Sequence, residues 1–147
     1  MDVRKKYIGL QSKLKKSADE IVFFGDSSCF WLCLCSIAEE YNESHNNKYK
    51  VDILSDYIVC RSKGWIGKDF YIKDSPAILN YLTGATWVKN VKEKLPQIIP
   101  ENMYTVEHWF NPATLLDHFK RRWGDTLDFS NTVKNGFLKE YYCFVYK

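Results

Sequence analysis

Cys29 is the residue whose type and position best fit a chemical role. It follows the turn sequence Gly-Asp-Ser-Ser at 25–28 and opens an apolar run that extends to Ala38. This pattern predicts a helix that starts at the cysteine, because serine and aspartate are favoured as helix N-caps. The N–H groups and the dipole at a helix start favour an anion, which lowers the pKa of a thiol placed there. Cys29 is therefore a candidate nucleophile. The alternative is a small core residue, since free cysteine is among the most buried residue types.

Two histidines and one aspartate are candidates for assisting Cys29. A thiol nucleophile needs a base, and the base needs a group that orients it. His45 lies in a polar stretch and is expected to be exposed, whereas His108 and His118 both lie in the second half of the chain. Asp125 is placed to face His118 across a tight hairpin. Cys29, His118 and Asp125 are therefore one candidate catalytic set. His108 stays open as the alternative base, and a purely structural role stays open for each histidine.

The cysteine count indicates reduced thiols and no bound metal. The chain has five cysteines, an odd number, and no apolar export signal follows its charged N-terminus, so we expect free thiols and a cytoplasmic protein. There is no Cys-x-x-Cys pair, and the single Cys-x-Cys has no nearby histidine, so no metal or cofactor is expected. Four of the cysteines are predicted core residues: Cys33, Cys35, Cys60 and Cys143.

The composition is that of an ordinary globular domain. The chain has 147 residues, of which 46% are hydrophobic and 27% charged, enough for a single domain with a real core. The net charge of +3 is too small to indicate nucleic acid, and the basic helix predicted for 1–20 is interpreted as a solvated face. The longest apolar run is too short to span a membrane. Nucleic acid and membrane are therefore not the expected partners.

The order of the predicted elements indicates an α+β fold. Helical patterns occupy the half from 23 to 84, including a helix over 52–63 that stops at Gly64 and a helix from Asp74 or Ser75 that stops at Gly84. A short strand is predicted at 70–72. The half from 85 to 147 is rich in aromatic and β-branched residues at 86–91, 103–110 and 141–146, which predicts an antiparallel sheet. The whole chain, 1–147, is expected to form one domain, with the cysteine helix buried against the sheet.

The segment 111–124 fits two local structures. An Asn cap, an early proline and a glycine stop favour a helix. The same residues fit a hairpin in which 111–114 is the turn and 115–119 the returning strand. The hairpin is required if His118 is to lie near Cys29.

These features in this order resemble the papain-like cysteine peptidases. They are most similar to compact bacterial and phage members such as bacteriocin-leader peptidases and cell-wall amidases. The resemblance covers about 23 to the C-terminus. Cys29 and the run to Glu39 resemble the helix that carries the nucleophile in this family. The segments 62–72 and 76–82 resemble the small-domain segment that follows that helix. Asp117-His118-Phe119 resembles the start of the strand that carries the base. The pattern Asp-x-x-x-x-Ser-x-Thr-Val-Lys-x-Gly at 125–136 resembles the closing hairpin of prophage-encoded members. The chain also resembles an uncharacterised protein family from spirochaete plasmids and prophages.

The resemblance implies a papain-like α+β fold and a cysteine peptidase or amidase activity on a peptide or protein substrate. The backbone N–H of Cys29 would then contribute to the oxyanion site. Papain-like enzymes usually carry a glutamine a few residues before the cysteine, and here the nearest upstream glutamine is Gln11. Asp26, Ser27 or Ser28 would then have to replace this glutamine as the donor to the oxyanion. The alternative function is a catalytically inactive papain-like protein, or another α+β interaction protein, of phage or plasmid origin.

Overall fold

Helices come first and strands follow in the computed structural model, which describes residues 3, 4, 7, 28–67, 70–121 and 131–147. The elements are α1 (Cys29–Ser44), α2 (Ile53–Ser62), α3 (Ser75–Thr83), β1 (Trp87–Lys92), β2 (Met103–Asn111), β3 (Leu116–Lys120), α4 (Thr132–Asn135) and β4 (Phe137–Tyr146). Every strand pair is antiparallel. The α+β class predicted from the sequence is confirmed.

Helix α1 is the buried centre of the molecule, as its all-round apolar sequence predicts. It begins at Cys29, the predicted position, and the side chains of Trp31, Leu34 and Ile37 are completely buried. The helix packs against α3 on one side and against β3 on the other. Val3 and Tyr7 are helical and belong to the same core, while most of the predicted helix over 1–20 lies outside the described residues.

The two following helices form at the predicted positions, and each has an aspartate as its N-cap. The Asp52 carboxylate accepts hydrogen bonds from the N–H groups of Leu54 and Ser55 at the start of α2. Asp74 caps α3 in the same way, and Gly84 ends α3 in the left-handed conformation, with φ of 80°. No helix among the described residues is both long and apolar enough to cross a membrane.

The strand predicted at 70–72 is wrong. Ile72 makes only an isolated antiparallel bridge with Ile66. The backbone of Phe70 has a φ of 60°, which an extended strand does not accommodate. The segment is a short loop beside α2, where the Phe70 ring stacks on Tyr57.

The sheet has the strand order β1-β4-β2-β3, so β3 is an edge strand. The hairpin interpretation of 111–124 is confirmed for its described part, because β2 and β3 pair antiparallel from Asn111 with Leu116 to Glu107 with Lys120. Gly136 carries α4 into β4 at a place where a Cβ atom would collide with the carbonyl oxygens of Phe110 and Thr132.

The sheet has two sides of different composition, because successive strand residues point to opposite faces. The Phe30 ring of α1 contacts Phe119, Tyr142 and Phe144, with ring centroids 4.4, 5.5 and 6.5 Å away. We call this the helix-facing side and define it by these members: Val106, His108, Phe119, Tyr142 and Phe144. The register places the alternate residues on the other side, which we call the outer side. It is defined by Glu107, Trp109, His118, Lys120 and Cys143.

Candidate active site

Cys29 differs from the other four cysteines in its exposure. Its side chain is partly exposed at the first residue of α1, whereas Cys33, Cys35, Cys60 and Cys143 are buried. Burial raises the pKa of each of those four thiols, to about 12 for Cys60. All five are free thiols. Cys29 is therefore the most exposed of the five cysteines.

An aromatic stack joins the start of α1 to the sheet. The Phe30 and Phe119 rings are 4.4 Å apart and nearly parallel, at 13°. Phe119 stacks in turn on the His108 imidazole, with centroids 4.5 Å apart and an angle of 9°. His108 consequently lies on the helix-facing side. The Phe119 ring connects it to Phe30, the residue that follows Cys29.

Two carboxylates hold the His108 ring. The Nδ1 atom lies 2.7 Å from Oε2 of Glu140 on β4, and Nε2 lies 2.6 Å from Oδ1 of Asp117 on β3. The imidazole is 7% exposed, against 21% for the Glu140 side chain and 48% for that of Asp117. Both ring nitrogens of His108 therefore lie within hydrogen-bond distance of a carboxylate oxygen. The cluster links three neighbouring strands through one ring.

His118 lies on the outer side of the sheet. It is buried, at 5% exposure, and its Cα partner on β2 is Trp109. On that side the indole N–H of Trp109 donates to Glu107 at 2.9 Å, and Lys120 lies 3.8 Å from the same carboxylate. The described geometry therefore places His118 and the Phe30 stack on opposite faces. Asp125 lies outside the described residues. The pairing of Cys29 with His118 and Asp125 stays a prediction, and the strand alternation places His108, rather than His118, on the side of the sheet that faces α1.

His45, predicted to be exposed, is exposed. It follows α1 and stacks on Tyr41, with ring centroids 3.9 Å apart. Its Nδ1 lies 3.0 Å from the Tyr41 carbonyl oxygen. It lies at the C-terminal end of the helix that Cys29 begins.

Asp117 and Glu140 were not among the functional residues predicted from the sequence. Each lies two positions before an aromatic residue that packs on Phe30: Asp117 before Phe119, and Glu140 before Tyr142. In a strand this spacing puts residues on one face. The period-two pattern could therefore have identified both carboxylates once the hairpin was assumed.

The same side of the sheet carries further polar groups beside His108. The Lys89 ammonium lies 4.1 Å from the centroid of the Tyr142 ring. Burial lowers the pKa of Lys89, against the opposing effect of Glu140. Burial, reinforced by the charges of Glu140 and Asp117, raises the pKa of Tyr142 to about 12. The helix-facing side around His108 therefore combines aromatic rings with charged side chains.

Arg121 ties the end of β3 to α1. Its guanidinium donates to Oγ of Ser36 at 2.8 Å and lies 3.4 Å from Oε1 of Glu40. Burial raises the pKa of Glu40, although the Arg121 charge opposes that effect. The contact spans 85 residues of sequence and fixes the hairpin against the helix that carries Cys29.

Ser28 precedes the nucleophile candidate and is the N-cap residue of α1. Its backbone carbonyl accepts the first helical hydrogen bond, from Leu32 N–H at 2.8 Å. Its side chain is completely buried and makes no capping bond, and Oγ has no hydrogen-bond partner within the described part of the chain. An unmade hydrogen bond of a buried hydroxyl costs about 1–3 kcal/mol, so this group calls for an explanation.

In the described ranges no group of three or more His, Cys, Asp and Glu side chains is arranged to hold a metal ion. Comparisons of the chain with protein-family models, curated proteins and solved structures give no match.

Proposed function

We propose that this protein is a thiol hydrolase with a papain-like arrangement, which cleaves a peptide-like amide with Cys29 as the nucleophile. His108 acts as the base. Glu140 orients the imidazole through Nδ1. The observation that carries the proposal is the stack of Phe30, Phe119 and His108, which joins the start of the cysteine helix to an imidazole flanked by two carboxylates.

The assignment of the carboxylates follows from their settings. A histidine that exchanges a proton with Cys29 must have one nitrogen free of other partners. Glu140 is the less exposed carboxylate and lies on a central strand of ten residues, whereas Asp117 lies on a five-residue edge strand. Glu140 therefore keeps its hydrogen bond to Nδ1 during the reaction. The contact between Asp117 and Nε2 breaks, which frees Nε2 to accept the proton of Cys29.

The reaction proceeds by acyl transfer. Sγ of Cys29 forms a bond to the carbonyl carbon, and its proton passes to His108. The tetrahedral intermediate collapses, the C–N bond breaks, and the imidazolium gives the proton to the departing amine. Water then attacks the thioester, and His108 takes its proton. The C–S bond breaks, the carboxylic acid is released, and His108 returns the proton to Sγ of Cys29.

The test is a stopped-flow measurement with p-nitrophenyl acetate, an ester that acylates an activated thiol and releases coloured p-nitrophenolate. We expect a burst of about one p-nitrophenolate per chain, since acylation precedes hydrolysis of the thioester. Cys29→Ala should abolish the burst. Cys33→Ala, one helical turn away and buried, is the matched control and should keep it.

Two results would overturn the proposal. One is a burst that survives in Cys29→Ala. The other is the absence of any burst in the unmodified chain at concentrations where small thiols react, which would favour the non-catalytic interaction protein.

A further inference from the structure

Strand β1 lies at an edge of the sheet and is open to solvent along most of its length. The strand order β1-β4-β2-β3 gives it a neighbour on one side only, whereas the other edge strand, β3, contacts α4. All five residues of β1 after Trp87 are exposed, including Val88 at 40% and Val91 at 53%. The strand pairs with β4 in one regular register without a bulge, and it contains no proline. An edge of this kind can accept a further strand.

The register shows which backbone groups of β1 face the free edge. The N–H of Lys147 donates to the carbonyl oxygen of Thr86 at 3.1 Å, so the backbone of Thr86 bonds toward β4. Bonded and non-bonded positions alternate in an antiparallel pair, so every second residue from 86 to 92 bonds toward β4. The N–H and C=O groups of Lys89 and Val91 therefore point to the free edge. No backbone group of a described residue bonds them there.

The charged side chains of β1 are basic and lie on both sides of the sheet. Lys89 is opposite Phe144 on the helix-facing side, and Lys92 is opposite Tyr141 on the outer side. Pairing of β1 with β1 of a second copy would bring these lysines close to their copies, and lysine on an edge strand disfavours such pairing. A strand that places carboxylates opposite Lys89 and Lys92 forms favourable cross-strand pairs instead. The charge of the edge therefore favours an acidic partner over a second copy.

We propose that the free edge of β1 binds an extended acidic segment of a partner protein, which adds a strand to the sheet. The segment pairs antiparallel, the slightly more stable of the two arrangements, and bonds the outward N–H and C=O groups of Lys89 and Val91. Its apolar side chains pack on Val88 and Val91, and its carboxylates face Lys89 and Lys92. The inference does not depend on the proposed function, because it uses neither Cys29 nor His108.

The test is an amide NMR titration of the full chain with the peptide acetyl-Glu-Val-Thr-Glu-Val-amide. In the antiparallel register its two glutamates lie opposite Lys92 and Lys89, and its two valines lie opposite Val91 and Val88. We expect millimolar peptide to move the amide signals of Lys89 and Val91 downfield in a saturable way, because their N–H groups become hydrogen-bonded. The control peptide, acetyl-Lys-Val-Thr-Lys-Val-amide, should bind about 10-fold more weakly at low salt, because both charge pairs are reversed.

Val91→Pro tests the backbone bonds. It removes an N–H that points away from β4, so the sheet keeps its own bonds, and proline is tolerated at such an edge position. Peptide binding should fall by about 10-fold or more, while the circular dichroism spectrum stays that of the unmodified chain. Val91→Ala keeps the N–H and is the matched control, which should bind within about threefold of the unmodified chain.

Lys89→Glu tests the charge and leaves the backbone unchanged, so it decides the matter even if Val91→Pro does not fold. It should weaken binding of the acidic peptide and strengthen binding of the basic one. The proposal is overturned if the amides of Lys89 and Val91 do not shift, or if both peptides bind equally to the unmodified chain. Sedimentation that shows a dimer, with Val91→Pro a monomer, would assign the edge to a second copy and would also overturn it.

Discussion

The two sides of the sheet each bury a histidine, but they surround it differently. On the helix-facing side, His108 stacks on Phe119 and bonds carboxylates from two neighbouring strands. On the outer side, His118 sits among Glu107, Trp109 and Lys120, one residue along the chain from the ring that contacts α1. A single step along a strand thus separates a position that faces the cysteine helix from one that faces away. Strand register therefore decides which histidine faces the helix that begins at Cys29.

The largest effect on this comparison is expected from Phe30→Ala. Phe30 is 9% exposed and joins α1 to Phe119, Tyr142 and Phe144, so its truncation leaves a cavity on the helix-facing side. We expect a loss of about 3 kcal/mol in the free energy of unfolding, measured by urea titration. Phe137→Ala is the control: Phe137 is 51% exposed, and its truncation should cost less than about 1 kcal/mol. Equal losses for the two variants would show that the stack does not hold α1 to the sheet.

The two carboxylates sharpen the comparison within the helix-facing side. Glu140→Gln removes the less exposed partner of His108 and should cost about 1.5–3 kcal/mol of stability, the range for a hydrogen bond to a charged group. Asp117→Asn removes the more exposed one and should cost less than about 1 kcal/mol. Urea titration at low salt measures both. The reverse order would remove the reason for assigning Glu140 as the orienting group.

A further effect appears only at alkaline pH. The pKa of Tyr142 is raised from 10.0 to about 12, so the folded state keeps the phenol proton where the unfolded chain has lost it. The stabilisation is therefore complete below pH 10 and disappears as the pH rises through 12. Tyr142→Phe should lose less stability than the unmodified chain between pH 9 and pH 12, measured by urea titration at each pH. Parallel curves would show that folding does not raise the pKa of Tyr142.

Much of the fold could be predicted because its signals are local. The aspartate caps and glycine stops of α2 and α3, and the apolar run of α1, act within a few residues of chain. The short strand expected at 70–72 failed because a pattern of three residues does not report the left-handed backbone of Phe70.

The candidate site could be predicted only in part. The position of Cys29 at the start of a buried helix could be predicted because it depends on one turn and one helix. The partner histidine depends on which residues of β2 and β3 share a face, and that follows from the hairpin register rather than from the neighbours of either histidine. Glu140 reaches His108 from a strand that lies 32 residues away in the sequence, a contact that no local pattern specifies.

The most direct test of the central claim compares His108→Gln with His118→Gln in the p-nitrophenyl acetate burst. If His108 is the base of Cys29, His108→Gln should slow acylation by about 10²-fold or more, while His118→Gln should stay within about threefold of the unmodified chain. Both proteins should first be shown to be folded by circular dichroism. The reverse result, a large loss in His118→Gln with His108→Gln unaffected, would contradict the account and return the base to the outer side of the sheet.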